Sequence, residues 1–270
     1  MSHMLERIVA DKVLEIAQAR QRTPLDELER RVRDLEPPRN FFSALTRPKD
    51  ELRVIAEVKR ASPSAGVIRE DFDPVAIAAT YRDNGAAAIS CLTDARYFQG
   101  SLADLSAIKQ AVGLPVLRKD FILDLYQVYE SRVAGADAIL LIAECIPQDS
   151  QLLDLLILAT ELKMTTLLEV YEVENLLRVR PHVGFPHPRY TLLGINNRNL
   201  KTMTTDLNHT LRLVDMVENR EILVSESGIR SHEDCKRLMN AGIHRVLVGE
   251  HLLRQPDVGA ALRKLMEGDG

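Results

Sequence analysis

Cysteine is scarce in this chain. Cys91, Cys145 and Cys235 are the three copies among 270 residues, far apart and odd in number. With no C-x-x-C spacing they exclude metal or redox work of that type and read as small buried hydrophobes in a reducing, cytoplasmic compartment. The seven histidines lack ligand spacing, and His182 and His187, in a Pro-rich loop, are expected to be solvated rather than metal-bound. No apolar run approaches the ~20 residues of a membrane span. The N-terminal residues lack the apolar core of a signal peptide. A net charge of -4 leaves no basic footprint for nucleic acid. Low-complexity segments are absent, and no G-x-G-x-x-G follows the first strand-like run, which argues against an open doubly wound sheet.

What is present is alternation. Apolar content is an ordinary 46%. Residues 4–20 carry apolar side chains at Leu5, Ile8, Val9, Val13 and Ile16, a helical period. Thr23-Pro24 reads as an N-cap followed by Pro at the first helical position, opening a second helix to about Leu35. Pro37-Pro38 ends it, and Phe41–Leu45 is a short buried segment. This leader, residues 1–50, is expected to pack on the barrel, with 37–45 and the helices before it over the top. From 51 to 270 a single catalytic domain is expected. Strand-like runs fall at 52–58, 87–92, 114–119, 138–142, 165–170, 191–196, 222–226 and 244–248. Helical segments follow at about 74–84, 101–111, 125–134, 148–162, 172–179, 207–218, 231–241 and 256–266. Gly85, Gly135 and Gly242 stand just past helix ends, where a left-handed cap suits glycine. Asp73-Pro74 and Ser231 read as helix starts. Eight such units in about 215 residues predict a (β/α)8 TIM barrel with an N-terminal helical extension. The Pro-rich 181–190 connection belongs to the bottom face.

In such a barrel chemistry sits at the C-terminal strand ends. The first strand ends in Glu57 and Lys59, two apart and on one side. Opposite charges there are either a buried ion pair that fixes register or a functional pair. The third strand ends in Arg118-Lys119-Asp120-Phe121, the fifth carries Glu169, the sixth ends in Asn196-Asn197-Arg198 and the seventh in Glu226-Ser227. Charges at equivalent ends of five strands, all aimed at one mouth, favour function. Gly228 and Gly249 follow the last two strands, where backbone N–H groups can approach a phosphate. Glu250 beside them would repel an anion, so its side chain must turn away while its N–H contributes.

These stretches carry a resemblance. Val54–Gly66, Leu92–Ser101, Leu114–Ile122, 194–201, Ser225–Ile229 and Val248-Gly249 resemble the indole-3-glycerol phosphate synthase family, from about Leu5 to the C-terminus. The resemblance implies a tryptophan-pathway lyase acting without cofactor or metal on a small phosphorylated molecule, 1-(2-carboxyphenylamino)-1-deoxyribulose 5-phosphate. It closes an indole ring with loss of CO2 and water. It implies Lys119 as general acid, Glu169 as acid/base, and Lys59 as carboxylate holder or second acid. Glu57, Asn196, Glu226 and Ser227 fall on further catalytic positions. Ser62, Gly228, Gly249 and Glu250 fall on the phosphate site, and Arg198 on an arginine beside Asn196. Phe98, Phe121 and Leu140 match positions around the anthranilate ring. Met203 replaces an expected aromatic, His251 a usual small residue, and the 181–190 loop is longer than in most relatives. No fused second barrel, nucleic acid or membrane partner is expected, and the chain is expected to be a monomer or weak homodimer. The nearest rival is a sister barrel such as phosphoribosylanthranilate isomerase, whose Cys–Asp chemistry would need motifs absent around Cys91 and Cys145. A non-catalytic phosphate-binding barrel would need only the phosphate loops.

Overall fold

A computed structural model describes residues 3–199 and 202–268 of the chain, so Leu200 and Lys201 of the sixth-strand motif lie outside the described residues. The eight apolar runs are strands: β1 (Arg53–Val58), β2 (Ala88–Leu92), β3 (Val116–Lys119), β4 (Ala138–Ile142), β5 (Thr165–Val170), β6 (Thr191–Asn196), β7 (Leu223–Glu226) and β8 (Arg245–Val248). Each pairs in parallel with its chain neighbour. β8 pairs with β1, Arg53 opposite Arg245 and Ala56 opposite Val248, which closes the expected (β/α)8 barrel. The strands are buried along nearly their whole length, as a sheet covered by helices outside and filled by side chains inside must be.

Local chemistry sets the crossovers. Asp73 Oδ1 accepts the N–H groups of Val75 (3.0 Å) and Ala76 (2.9 Å) and starts the helix Pro74–Asp83. Ser231 and Asp234 close a capping box on His232–Asn240. Gly85, Gly135 and Gly242 take φ of 91°, 97° and 80° at the helix ends. The 181–190 loop enters β6 at its N-terminal end, remote from the mouth, and His187 is exposed there.

The leader forms α1 (His3–Arg22), α2 (Leu25–Arg33) and α3 (Phe41–Thr46). Two expectations about it change. Pro24 is the N-cap of α2 rather than its first helical residue, because its ψ of 153° is extended; its carbonyl takes the first helical N–H groups. The 37–45 segment does not cover the top. α3 buries Phe41 and Leu45 completely, and its C-terminal carbonyls serve the first residues of β1 and β8. Arg53 Nε donates to the Ala44 carbonyl at 3.0 Å and Arg245 Nε to that of Leu45 at 3.0 Å. Both arginines begin their strands, so α3 plugs the bottom. α1 alone reaches the mouth, where Met4, Leu5 and Ile8 line the cavity. No helix among the described residues is long and apolar enough to cross a membrane.

Candidate active site

The C-terminal mouth opens into a cavity of about 460 Å³. All fifteen sequence-predicted site residues line it: Glu57, Lys59, Ser62, Phe98, Lys119, Phe121, Leu140, Glu169, Asn196, Arg198, Glu226, Ser227, Gly228, Gly249 and Glu250. Their strands explain why. Lys119, Asn196 and Glu226 are the last residues of β3, β6 and β7, and Glu57 and Glu169 stand one residue before the ends of β1 and β5.

At the centre Lys119 Nζ lies 3.0 Å from Glu169 Oε2 and 3.5 Å from Glu226 Oε2. Asn196 Nδ2 donates to the other Glu169 oxygen at 2.9 Å, so that carboxylate is held at both ends. Lys59 is bonded to Glu57 Oε1. The side chains of Glu57 and Glu226 need space next to backbone, and glycine supplies it. A Cβ on Gly249 would collide with Glu57, and one on Gly194 with Glu226 Oε1. Gly194 was not among the expected site residues, although a glycine inside an apolar strand signals such an approach.

The charges perturb one another. Burial opposes the Lys119 ammonium, but the carboxylates of Glu169, Glu226 and Glu57 outweigh it and hold the lysine above its ordinary range. Burial pushes Glu57 up, yet Lys59 and Lys119 prevail and its carboxyl stays below the usual value. Glu226 goes the other way. Burial and the neighbouring Glu169 carboxylate drive it well above the ordinary carboxyl range, against the pull of Lys119. Neither of its carboxylate oxygens accepts a hydrogen bond within the described structure.

The rim of the mouth is cationic on one side. Arg198 Nη2 meets Glu250 Oε2 at 3.0 Å, Arg254 Nε meets Glu250 Oε1 at 3.0 Å, and Arg198 also donates to Ser64 Oγ. The Glu250 side chain therefore turns onto two arginines. Burial raises its carboxyl, but these bonds hold it below the ordinary range. Ser227 (φ 67°) and Gly228 (φ 79°) form a left-handed turn after β7. Asn197 fixes that turn by donating to Ser225 Oγ and the Ser227 carbonyl, both at 3.0 Å. On the other side Phe98 and Phe121 face each other with ring centroids 6.3 Å apart, tilted by 40°.

Three strand-end residues do not reach the mouth as functional groups. Arg118 points outward, its Nη1 2.8 Å from Glu130 Oε2 on the helix Leu125–Val133. Asn197 is spent on the turn after β7 and on Thr210, whose N–H and hydroxyl donate to its Oδ1. Asp120, though at the cavity wall, ion-pairs with Arg118 and Lys12. Arg230, Arg254 and Met4 line the cavity without having been expected there. Arg254 stands one helical turn beyond Glu250, a spacing that could have marked it. Cys91 and Cys145 are buried, and burial pushes both thiols up, away from thiolate chemistry. Among the described residues no group of three or more His, Cys, Asp or Glu is placed to hold a metal ion.

A closed parallel barrel whose C-terminal mouth gathers interlocked lysines and carboxylates has the architecture of a (β/α)8-barrel enzyme. Residues 5–265 match the family model of indole-3-glycerol phosphate synthase. The chain is 50% identical over 252 residues to an indole-3-glycerol phosphate synthase of Rhodopirellula baltica, covering 93% of this chain and 94% of that one. It is 44% identical over 273 residues to the enzyme of that name from Microcystis aeruginosa, covering 99% and 90%. A solved 3-hexulose-6-phosphate synthase superposes with a TM-score of 0.61 at 13% identity, over 81% of this chain and all (100%) of that one, a likeness of fold alone. The chain belongs to the indole-3-glycerol phosphate synthase family, carboxy-lyases of tryptophan biosynthesis.

Proposed function

We propose that the mouth closes the indole ring of 1-(2-carboxyphenylamino)-1-deoxyribulose 5-phosphate through Lys119 as general acid. The observation that carries this reading is the Lys119 ammonium, half-buried in the mouth 3.0 Å from Glu169 and 3.5 Å from Glu226. The ring carbon bearing the carboxylate attacks the ketone carbon. A C–C bond forms, and the carbonyl oxygen gains negative charge that Lys119 meets with a proton. The bond to the carboxylate then breaks, CO2 leaves and its electron pair returns to the ring. Lys59 holds that carboxylate beforehand and is the second acid at hand. Finally the hydroxyl takes a proton from Lys59 and departs as water, while Glu169, whose orientation Asn196 fixes, takes a proton from the adjacent CH2 carbon and the ring double bond forms. Glu57 holds Lys59 in place through their ion pair, and Glu226 stands beside Lys119. Phe98, Phe121 and Leu140 take the aromatic ring. Ser62, Ser227, Gly228, Gly249 and the Glu250 N–H take the phosphate, with Arg198 beside them. No cofactor, metal, nucleic acid or membrane enters this scheme. The barrel from residue 51 carries the chemistry, and the leader supplies part of the wall.

The test is direct. Given this substrate, the purified chain should release one CO2 per indole chromophore formed. Formation of an isomerised sugar without CO2 would sink the reading.

A further inference from the structure

Lys12 takes no part in the acid–base cluster, yet its placement is unusual for a lysine. On α1 it falls within the buried stripe Leu5, Ile8, Lys12, Ile16, and its side chain is 1% exposed. Its ammonium lies 2.9 Å from Asp94 Oδ2 and 2.8 Å from Asp120 Oδ1, carboxylates themselves 2% and 1% exposed, and 2.9 Å from the half-exposed Glu15. Burial disfavours the ammonium, but Asp120 and Asp94 outweigh it and hold it above its ordinary range.

Both aspartates also grip backbone at the aromatic side of the mouth. Asp94 Oδ1 accepts the Tyr97 N–H at 2.7 Å and starts the turn Ala95–Phe98, which delivers Phe98. Asp120 Oδ1 accepts the Phe121 N–H at 2.8 Å, and its Oδ2 takes Thr93 Oγ1 at 2.6 Å and Arg118 Nη2 at 3.0 Å. Apolar side chains could fill the same space with equal or better stability. They could not orient two carboxylates whose other bonds aim the two rings.

We infer that Lys12 is a positioning residue: by bridging Asp94 and Asp120 it sets Phe98 and Phe121 as a cradle for the substrate's aromatic ring. The leader helix thereby completes the aromatic end of the site and leaves the phosphate end untouched. This rests on the placement of the aromatic ring given under the proposed function.

Two probes separate the ends. One is the substrate with its ketone reduced to the alcohol, which carries ring and phosphate but cannot cyclise; the other is inorganic phosphate. Lys12→Met and Lys12→Met/Asp94→Asn are titrated with each in the full chain, beside Phe121→Ala. The paired variant leaves no carboxylate unmatched and keeps an oxygen for the Tyr97 N–H, so it tests the idea even if Lys12→Met folds poorly. We expect the aromatic probe to bind ~10-fold more weakly to the Lys12 variants and phosphate to stay within about twofold. Equal binding of both probes, or equal loss of both, overturns the inference, since a purely structural lysine gives one or the other. If Phe121→Ala weakens the aromatic probe and the Lys12 variants do not, the inference alone fails. If Phe121→Ala has no effect, the placement of the ring fails and takes the inference with it.

Discussion

At the scale of single residues, the site is a set of charges held where none would rest alone. Glu226 is the most exposed to that conflict. Burial and Glu169 raise its carboxyl well above the ordinary value of 4.5. The folded chain thus keeps a proton that the unfolded chain releases, and the stability this contributes is lost as pH rises from about 4.5 through the folded value. Glu226→Gln should therefore melt with wild type near pH 4 and exceed it increasingly toward pH 8, by roughly 2–4 °C for each kcal/mol recovered. Its turnover should fall, the usual trade of activity for stability at a strained site. Thermal melts across that pH range check the sign; a variant less stable at pH 8 would refute the account of Glu226. The glycines make a second residue-scale test. Gly249→Ala must push Glu57 off its partner Lys59, because the added Cβ lands on the Glu57 side chain. Turnover should drop by ~10-fold or more with the fold kept, as read from kcat beside the circular dichroism spectrum. Glu57, Lys59, Lys119 and Glu169 were legible in the sequence because charge is costly at the end of an apolar strand. Lys12 was not. On a helix flanked by charged residues, lysine reads as solvated, and only packing reveals that its face is buried.

At the scale of elements, the strands declared themselves through apolar runs and the helix ends through glycine, aspartate and serine. The placement of α3 did not. Phe41 and Leu45 show that the segment is buried, but the apolar pattern says nothing about which end of the barrel receives it. The deciding bonds, from Arg53 and Arg245, come from residues 9 and 200 positions away. Bottom and mouth should respond differently. Phe41→Ala opens a cavity under the barrel and should cost ~3–5 kcal/mol while leaving KM unchanged. Removing residues 1–22 strips Met4, Leu5 and Ile8 from the cavity wall and should raise KM by ~10-fold or more. Denaturant unfolding and steady-state kinetics on both variants check the division; a KM change in Phe41→Ala would contradict it.

At the scale of the whole molecule, closure of the barrel brings together charges that lie up to 169 positions apart in the chain, from Glu57 to Glu226. Glu169, Glu57 and Glu226 surround Lys119, and the charge on Glu169 and Glu57 keeps its proton on. With its pKa raised above 10.5, Lys119 should contribute no alkaline limb to the kcat profile below about pH 10. Lys119→Met tests the central claim most directly. The substitution keeps length and apolar packing and removes the proton. Single-turnover and steady-state measurements should show kcat reduced at least ~100-fold with KM within about threefold of wild type. If kcat is retained and KM alone rises, Lys119 binds rather than protonates, and the acid is Lys59.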